Sequence, residues 1–99
     1  MGRMSGVLGD TAIEQGLAGL TDWRQSGQAI VRTVELADFP QAIEVVDRVA
    51  VLAERTQHHP DIDIRWRTLH FTLSTHDAGG VTELDFALAR EIDAASASG

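Results

Sequence analysis

The segment from Asp38 to Pro60, with Pro40 near its start and Pro60 at its end, does most to limit the folds open to this chain. Its apolar residues recur at the i, i+3, i+4 and i+7 spacing of one helix face. These residues are Ala42, Val45, Val46, Val49, Leu52 and Ala53. Asp38 is a favourable N-cap, and Pro40 is tolerated in the first turn. Because Pro60 disfavours helical geometry at the residue before it, we predict one long helix that ends near Gln57.

Alternation of apolar and polar residues predicts strands on both sides of that helix. After it, residues 62–66 and 69–73 alternate as half-buried strands do. Before it, residues 22–25 and the β-branched segment 28–36 flank a turn signal at Ser26-Gly27. The sequence therefore predicts two pairs of strands, one on each side of the long helix.

Two shorter helices complete the predicted set. Apolar residues at helical spacing mark residues 11–20, where Gly16 and Gly19 weaken the pattern, and residues 82–95. The order of elements is then α, β, β, α, β, β, α. This order predicts an α+β fold in which three helices pack on one face of a four-stranded antiparallel sheet.

Composition and charge restrict the partners of such a fold. A chain of 99 residues with 43% hydrophobic residues is expected to form one domain over residues 1–99, with residues 1–10 as a disordered amino-terminal end. The net charge of -7 repels phosphate backbones, so nucleic acid is not expected as a ligand. The chain has no cysteine, which excludes thiol chemistry. No apolar run resembles a signal peptide or membrane span, so we expect a cytoplasmic protein that does not bind membranes.

The histidines are the residues in this sequence best suited to chemistry. His58 and His59 are adjacent and directly precede Pro60, and His76 follows the last predicted strand. Glu54 lies four residues before His58, so a helix that reaches His58 would place both side chains on one side of its last turn. Imidazoles that surround one pocket can donate and accept protons at neutral pH. The pattern therefore indicates an acid/base site.

Structural interpretations compete with this hypothesis. Histidine side chains at a helix end can satisfy its last carbonyl groups, and Asp85 completes a T-x-x-D sequence that resembles a capping box. Trp23 and Trp66 are typical packing residues. His70 lies on the polar side of its predicted strand, where we expect an exposed or hydrogen-bonded structural role.

A metal site is a further alternative. Asp61, Asp63 and Asp77 lie near the histidines in the sequence and are possible ligands. Adjacent histidines rarely reach one ion, however, and the chain has neither H-E-x-x-H nor a Cys/His pattern. We therefore expect no metal.

Several motifs in register resemble the pterin-4a-carbinolamine dehydratase family. They are E-x-x-x-H-H-P at residues 54–60, the aromatic Trp66, LHFTLSTHDAGG at residues 69–80 and T-x-x-D at residues 82–85. LTDW at residues 20–23 and LADFPQAIEVVDRVAVLAE at residues 36–54 extend the likeness. The resemblance covers the chain from about Leu17 to Ile92.

The resemblance implies an activity and a set of site residues. The reaction is removal of water from 4a-hydroxytetrahydrobiopterin to give the quinonoid dihydropterin, a lyase step in tetrahydrobiopterin recycling that needs no metal or bound cofactor. His58, His59 and His76 match the active-site histidines of the family, and Glu54 and Asp85 match the acids that flank the pocket. The resemblance also implies a homodimer or homotetramer.

Roles within this set follow as expectations. We expect His58 and His76 to transfer protons and His59 to orient or bind the pterin, although the roles are exchangeable. Ile62 stands near the position where animal members carry a tryptophan, so the pterin face is expected to meet Trp66, Trp23 or an aliphatic wall.

A second function class remains open from the sequence. It is a non-catalytic binding or assembly protein that uses the same scaffold. Some family members stabilise dimers of a homeodomain transcription factor, but the net charge of -7 gives no support for that role here. The sequence leaves open which pterin side chain is used, which hydroxylase supplies the substrate, and whether the oligomer is a dimer or a tetramer.

Overall fold

Three helices and four strands make up the computed structural model, which describes residues 6–97. In chain order they are α1 (Asp10–Leu17), β1 (Arg24–Ser26), β2 (Ala29–Glu35), α2 (Phe39–Thr56), β3 (Asp61–Arg65), β4 (Thr68–Leu73) and α3 (Glu83–Ala97). A short 3-10 turn, His76–Ala78, lies between β4 and α3. The predicted α+β fold and its order αββαββα are confirmed. No helix in the described range is long and apolar enough to cross a bilayer.

All neighbouring strands in the sheet are antiparallel. The strand order is β1-β2-β4-β3, so β2 and β4 are central and β1 and β3 form the edges. Ile30 of β2 is opposite Leu73 of β4, and Ile64 of β3 is opposite Leu69. This register aligns the apolar side chains of successive strands on one face, because side chains alternate between faces along a strand.

The apolar face of the sheet forms the core with α2 and α3. Leu69, Phe71 and Leu73 of β4 are fully buried, and so are Val45 and Val49 of α2. The opposite face is polar. There the Thr33 hydroxyl and the Nδ1 atom of His70 are 2.9 Å apart, which confirms the hydrogen-bonded role predicted for His70.

Helix α2 begins as predicted and ends just before the histidines. The Asp38 side chain accepts a hydrogen bond from the Gln41 N–H at 2.9 Å, so Asp38 caps the helix. The helix ends at Thr56, because Gln57 has a left-handed backbone with φ of 55°. The N–H of His58 donates to the Ala53 carbonyl at 3.1 Å, the long backbone bond typical of a Schellman ending.

Two predicted segments are wrong in detail. Helix α1 ends at Leu17 rather than at residue 20, although Leu20 is still buried after the helix. Trp66 was predicted to be the last half-buried residue of a strand and to pack in the core. It instead occupies a two-residue turn between β3 and β4, with φ of 63° and 76% of its surface exposed. Pairing of Arg65 with Thr68 ends the hairpin and leaves Trp66 outside the ladder.

The amino-terminal end predicted to be disordered, residues 1–10, falls partly outside the described residues, since residues 1–5 are not described. Within the described part, the N–H of Leu8 donates to the Val81 carbonyl at 2.8 Å. Helix α1 then begins at Asp10.

Gly16 lies where α1 meets the ring of Phe86 on α3. A Cβ atom at residue 16 would come within 2.5 Å of that ring, whereas one at Gly19 would meet nothing within 4 Å. We predict that Gly16→Ala lowers the free energy of unfolding by about 1–3 kcal/mol, because the overpacked ring has to move. Urea unfolding would measure this loss, with Gly19→Ala as the matched control. A Gly16→Ala protein as stable as the control would contradict the close packing.

Candidate active site

A cavity of about 230 Å³ opens where the carboxyl end of α2 meets the segment after β4. It is lined by Gln57, His58, His59, Ser74, Thr75, His76 and Asp77. Three of the four histidines of the chain therefore border one volume. A larger groove of about 410 Å³ lies between α2 and α3, but no histidine borders it. The histidine-lined cavity is the candidate active site.

Two chain reversals bring these segments together. The left-handed Gln57 turns the chain out of α2, so that His58 and His59 lie beyond the helix. After β4, Thr75 pairs with Gly80 across the 3-10 turn, and Gly79 takes a φ of 82° that glycine adopts without strain. His76 begins this turn and faces solvent. Both reversals depend on local backbone geometry.

His58 forms a buried pair with Asp85 of α3. Its Nε2 atom is 2.6 Å from Asp85 Oδ1, the His58 side chain is 11% exposed, and the Asp85 side chain is fully buried. Asp85 lies in the first turn of α3, where the helix dipole favours a negative charge. The residues are 27 positions apart in sequence, so their contact depends on packing of α2 against α3.

The second oxygen of Asp85 holds the start of α3. Oδ2 accepts hydrogen bonds from the Thr82 N–H and the Thr75 hydroxyl, each at 2.9 Å. The Leu84 N–H donates to Thr82 Oγ1 at 3.2 Å, so Thr82 and Asp85 form a reciprocal cap close to the predicted capping box. Asp85 therefore caps α3, as the T-x-x-D pattern predicted, and its other oxygen contacts His58, a contact that the sequence did not predict.

This arrangement determines the tautomer of neutral His58. Asp85 as a carboxylate only accepts hydrogen bonds, so the short contact requires a proton on His58 Nε2. In neutral imidazole, Nδ1 then carries the lone pair. Nδ1 has no hydrogen-bond partner within residues 6–97. This nitrogen is the one available to accept a proton from a ligand.

Glu54 pairs with His59, not with His58 as its four-residue spacing suggested. The His59 Nε2 and Glu54 Oε2 atoms are 2.5 Å apart, and both side chains are more than half exposed. The prediction failed because α2 ends at Thr56 and the turn at Gln57 carries His58 away from the face that Glu54 occupies. The two adjacent histidines therefore have separate carboxylate partners, one buried and one in contact with solvent.

The helix end does not use the histidine side chains as caps. The Gln57 side chain donates to the Glu54 carbonyl at 2.7 Å, and the N–H of His58 serves the Ala53 carbonyl. The imidazole rings of His58 and His59 face carboxylates instead. The predicted role of the histidine side chains as caps of the last carbonyl groups of α2 is therefore wrong.

Neither tryptophan borders the cavity. Trp23 is 4% exposed, and its Nε1–H donates to Asp93 Oδ1 at 2.8 Å, so it is a core residue as the packing interpretation predicted. Trp66 lies in the β3–β4 turn. The structure thus does not bring either ring to the histidines, and the wall of the cavity contains no aromatic carbocycle.

Asp61, Asp63 and Asp77 are the acids near the histidines that the sequence offered as possible metal ligands. Among residues 6–97, no three or more His, Cys, Asp or Glu side chains are grouped so that they could hold an ion. Asp61 and Asp63 lie on β3, and Asp63 accepts hydrogen bonds from Arg65 at 3.2 Å. Of the three acids, Asp77 alone borders the cavity.

Sequence reasoning missed the contribution of Thr75 and recognised Thr82 only as part of a possible capping box. Thr75 is the residue before His76, and its hydroxyl lies 2.8 Å from that of Thr82. Both side chains are buried, with exposed fractions of 8% and 0%. The only signal for Thr75 in the sequence was a threonine at the end of an alternating strand, which is ordinary for strands.

Comparisons with known proteins agree on one family. The sequence profile described as "Pterin 4 alpha carbinolamine dehydratase" matches residues 7–95. A protein of Nocardia farcinica, named provisionally as a pterin-4-alpha-carbinolamine dehydratase, is 60% identical over 87 residues, which cover 88% of this chain and 92% of that one. A protein of Roseiflexus castenholzii with the same provisional name is 53% identical over 90 residues, covering 91% and 97%.

Two solved structures are also similar. A "transcriptional coactivator/pterin dehydratase" from Brucella melitensis has a TM-score of 0.87 and 32% identity, over 90% of this chain and 97% of that one. A "pterin dehydratase-like protein", described as a RuBisCO assembly factor in the alpha-carboxysome, has a TM-score of 0.67 and 26% identity, over 79% and 93%. The fold is therefore associated with both enzyme and assembly functions in the names of its neighbours.

Proposed function

Because the chain belongs to the pterin 4 alpha carbinolamine dehydratase family, we propose that it is a hydro-lyase that removes water from a 4a-hydroxytetrahydropterin. The observation that carries the proposal is the buried Asp85–His58 pair at the wall of a cavity that two more histidines line. Such a pair is a positioned acid/base group, and the reaction needs proton transfer at two places. The product is the quinonoid dihydropterin.

Dehydration breaks one C–O bond and moves two protons. The 4a-hydroxyl leaves as water when it receives a proton, the nitrogen lone pair next to carbon 4a forms the new C=N bond, and a ring nitrogen loses a proton. Protonated His58 donates from Nδ1, or neutral His58 accepts there, while Asp85 holds the other nitrogen. His76 is exposed and borders the same cavity, so it supplies the opposite proton transfer. The net proton count of the pair of histidines is unchanged.

His59 has a different environment and therefore a different proposed role. Its ring is held by Glu54 at the solvent-facing side of the cavity. We assign it to orientation of the pterin and to proton exchange with solvent. No step in this mechanism requires a metal or a bound cofactor.

Stopped-flow absorbance tests the proposal. Chemically generated 4a-hydroxytetrahydrobiopterin is mixed with the wild-type protein, and its conversion to the quinonoid form is followed beside a buffer blank. We expect conversion well above the spontaneous rate. A rate equal to that of buffer would contradict the assignment as a dehydratase.

A non-catalytic assembly role is the second candidate, and one observation favours it. The solved neighbour described as a RuBisCO assembly factor shares the fold at a TM-score of 0.67. The intact Asp85–His58 pair favours the enzyme, because an assembly surface has no need for a buried carboxylate aimed at an imidazole. An inactive wild-type protein that co-purifies with one defined macromolecular partner would favour the assembly role.

We also propose that the chain forms a homodimer or homotetramer in the cytoplasm. In the part of the chain that the structure describes, the outer edge of β3 pairs with no other strand, and Ile64 within β3 and Trp66 just after it are 40% and 76% exposed. A cysteine-free chain needs no oxidising compartment to fold. We predict that light scattering coupled to gel filtration gives a particle mass of two or four times the chain mass. We expect Ile64→Lys to lower this particle mass, because it places a charge on the exposed edge strand. A wild-type monomer at all concentrations would overturn the oligomer proposal.

A further inference from the structure

We propose that Thr75 is a positioning residue that fixes Asp85, and through it the tautomer and orientation of the His58 ring. The inference rests on the proposed function, because it concerns the same acid/base pair. Its basis is a chain of hydrogen bonds whose donors and acceptors can be assigned one by one. Thr75 lines the cavity, but its hydroxyl proton is donated to Asp85 Oδ2 and is not available to a ligand.

The assignment begins at Asp85. Its Oδ2 atom is an acceptor, so the Thr75 hydroxyl donates to it at 2.9 Å. A hydroxyl has one proton, so the 2.8 Å contact between the two threonines requires Thr82 to donate to Thr75. The Leu84 N–H donates in turn to Thr82 Oγ1 at 3.2 Å. The relay therefore runs from Leu84 through Thr82 and Thr75 to Asp85.

Two consequences follow from this direction. First, neither hydroxyl proton is available to a substrate, so Thr75 acts through Asp85 and not by donating a hydrogen bond to the pterin. Second, Oδ2 is held by two donors, which leaves Oδ1 aimed at His58 Nε2. Because successive donors polarise one another in a buried site, loss of one hydroxyl weakens the whole relay.

The hydrogen-bond relay and the ring that it positions belong to three different segments of the chain. Thr75 follows β4, Thr82 and Asp85 lie at the start of α3, and His58 follows α2. Thr75, Thr82 and Asp85 are each less than one tenth exposed. A buried network with every member satisfied is rigid, so the proposed role is to keep the His58 ring in one geometry.

The test compares three variants: Thr75→Val, which removes the hydroxyl at nearly constant volume, Thr75→Ser, which keeps it, and Thr72→Val as a matched control on the opposite face of β4. Each is assayed for kcat and KM, and its His58 ring nitrogens are observed by ¹⁵N NMR without substrate. We expect Thr75→Val to lower kcat about tenfold, the effect of one lost hydrogen bond to a charged acceptor, with little change in KM. We also expect His58 ring-nitrogen shifts moved toward a tautomer mixture. We expect Thr75→Ser to retain the wild-type kcat and the wild-type His58 ring-nitrogen shifts, and Thr72→Val to do the same.

Each other outcome has a defined meaning. Wild-type kcat and wild-type ring-nitrogen shifts in folded Thr75→Val would overturn the proposal. A Thr75→Ser protein whose kcat and shifts are as altered as those of Thr75→Val would overturn it as well. If Thr75→Val does not fold, Thr75→Cys, whose thiol is a weak hydrogen-bond donor, is compared with Thr75→Ser, which keeps the hydroxyl. His58 ring-nitrogen shifts that are the same in both variants would overturn the proposal. A wild-type protein without dehydratase activity would overturn the proposed function instead, and the ring-nitrogen shifts alone would then decide the relay.

Discussion

Replacing His58 by alanine is expected to lower kcat/KM by about 10²- to 10⁴-fold, the usual contribution of one general acid or base. The variant removes the only imidazole in the described structure that a buried carboxylate holds. It also leaves Asp85 without its Nε2–H donor, so some stability is lost as well. Steady-state dehydration kinetics measure the first effect and urea unfolding the second.

His70→Ala is the matched control for this prediction. His70 is the fourth histidine of the chain and bonds Thr33 on the polar face of the sheet, away from the cavity. We expect it to retain wild-type kcat/KM. Equal activity in the two histidine variants would show that the His58 ring does not take part in the reaction.

Replacing Asp85 by asparagine is expected to have an effect of similar size through the tautomer. The side-chain oxygen of asparagine has to accept from Thr75 and Thr82, so its NH₂ group faces His58 Nε2 as a donor. His58 Nε2 then has to accept, and its proton moves to Nδ1. Nδ1, which has no partner among the described residues, changes from acceptor to donor. We expect kcat to fall about 10²- to 10⁴-fold, as such reversals do in other carboxylate–histidine pairs.

The Asp85→Asn prediction has a direct spectroscopic check. The ¹⁵N shifts of His58 are expected to exchange between the Nδ1 and Nε2 positions relative to wild type. Folded Asp85→Asn protein with the wild-type tautomer and wild-type kcat would contradict the proposed role of the pair. Far-UV circular dichroism and the free energy of unfolding verify that the variant is folded, since Asp85 also caps α3.

Elements with one clear hydrophobic period were predictable from the sequence. Helix α2 repeats apolar residues at helical spacing between two prolines, and its start and end lie within one residue of the prediction. Alternation likewise located β3 and β4. The predicted first strand of this pair extended one residue too far, to Trp66. The end of a hairpin depends on strand register and turn geometry, and neither can be inferred from the alternation of apolar and polar residues.

The site was predictable in part and for a specific reason. Sequence spacing brought attention to His58, His59 and His76, whose side chains border one cavity. It paired Glu54 with the wrong histidine, because the left-handed turn at Gln57 is invisible to a helical spacing rule. The Asp85–His58 contact joins residues 27 positions apart, so it follows from tertiary packing and not from a local pattern. The Thr75–Asp85 hydrogen bond spans ten positions across the 3-10 turn, and no spacing rule predicts it.

Single-turnover kinetics test most directly whether dehydration occurs in the cavity beside His58. The first-order conversion of 4a-hydroxytetrahydrobiopterin is measured with wild type, His58→Ala and His70→Ala in increasing excess over substrate. We predict rates that saturate with protein concentration, a plateau that falls only in His58→Ala, and similar half-saturation in all three. Rates that rise linearly and equally for the three proteins would mean unspecific catalysis by surface groups and would contradict the account.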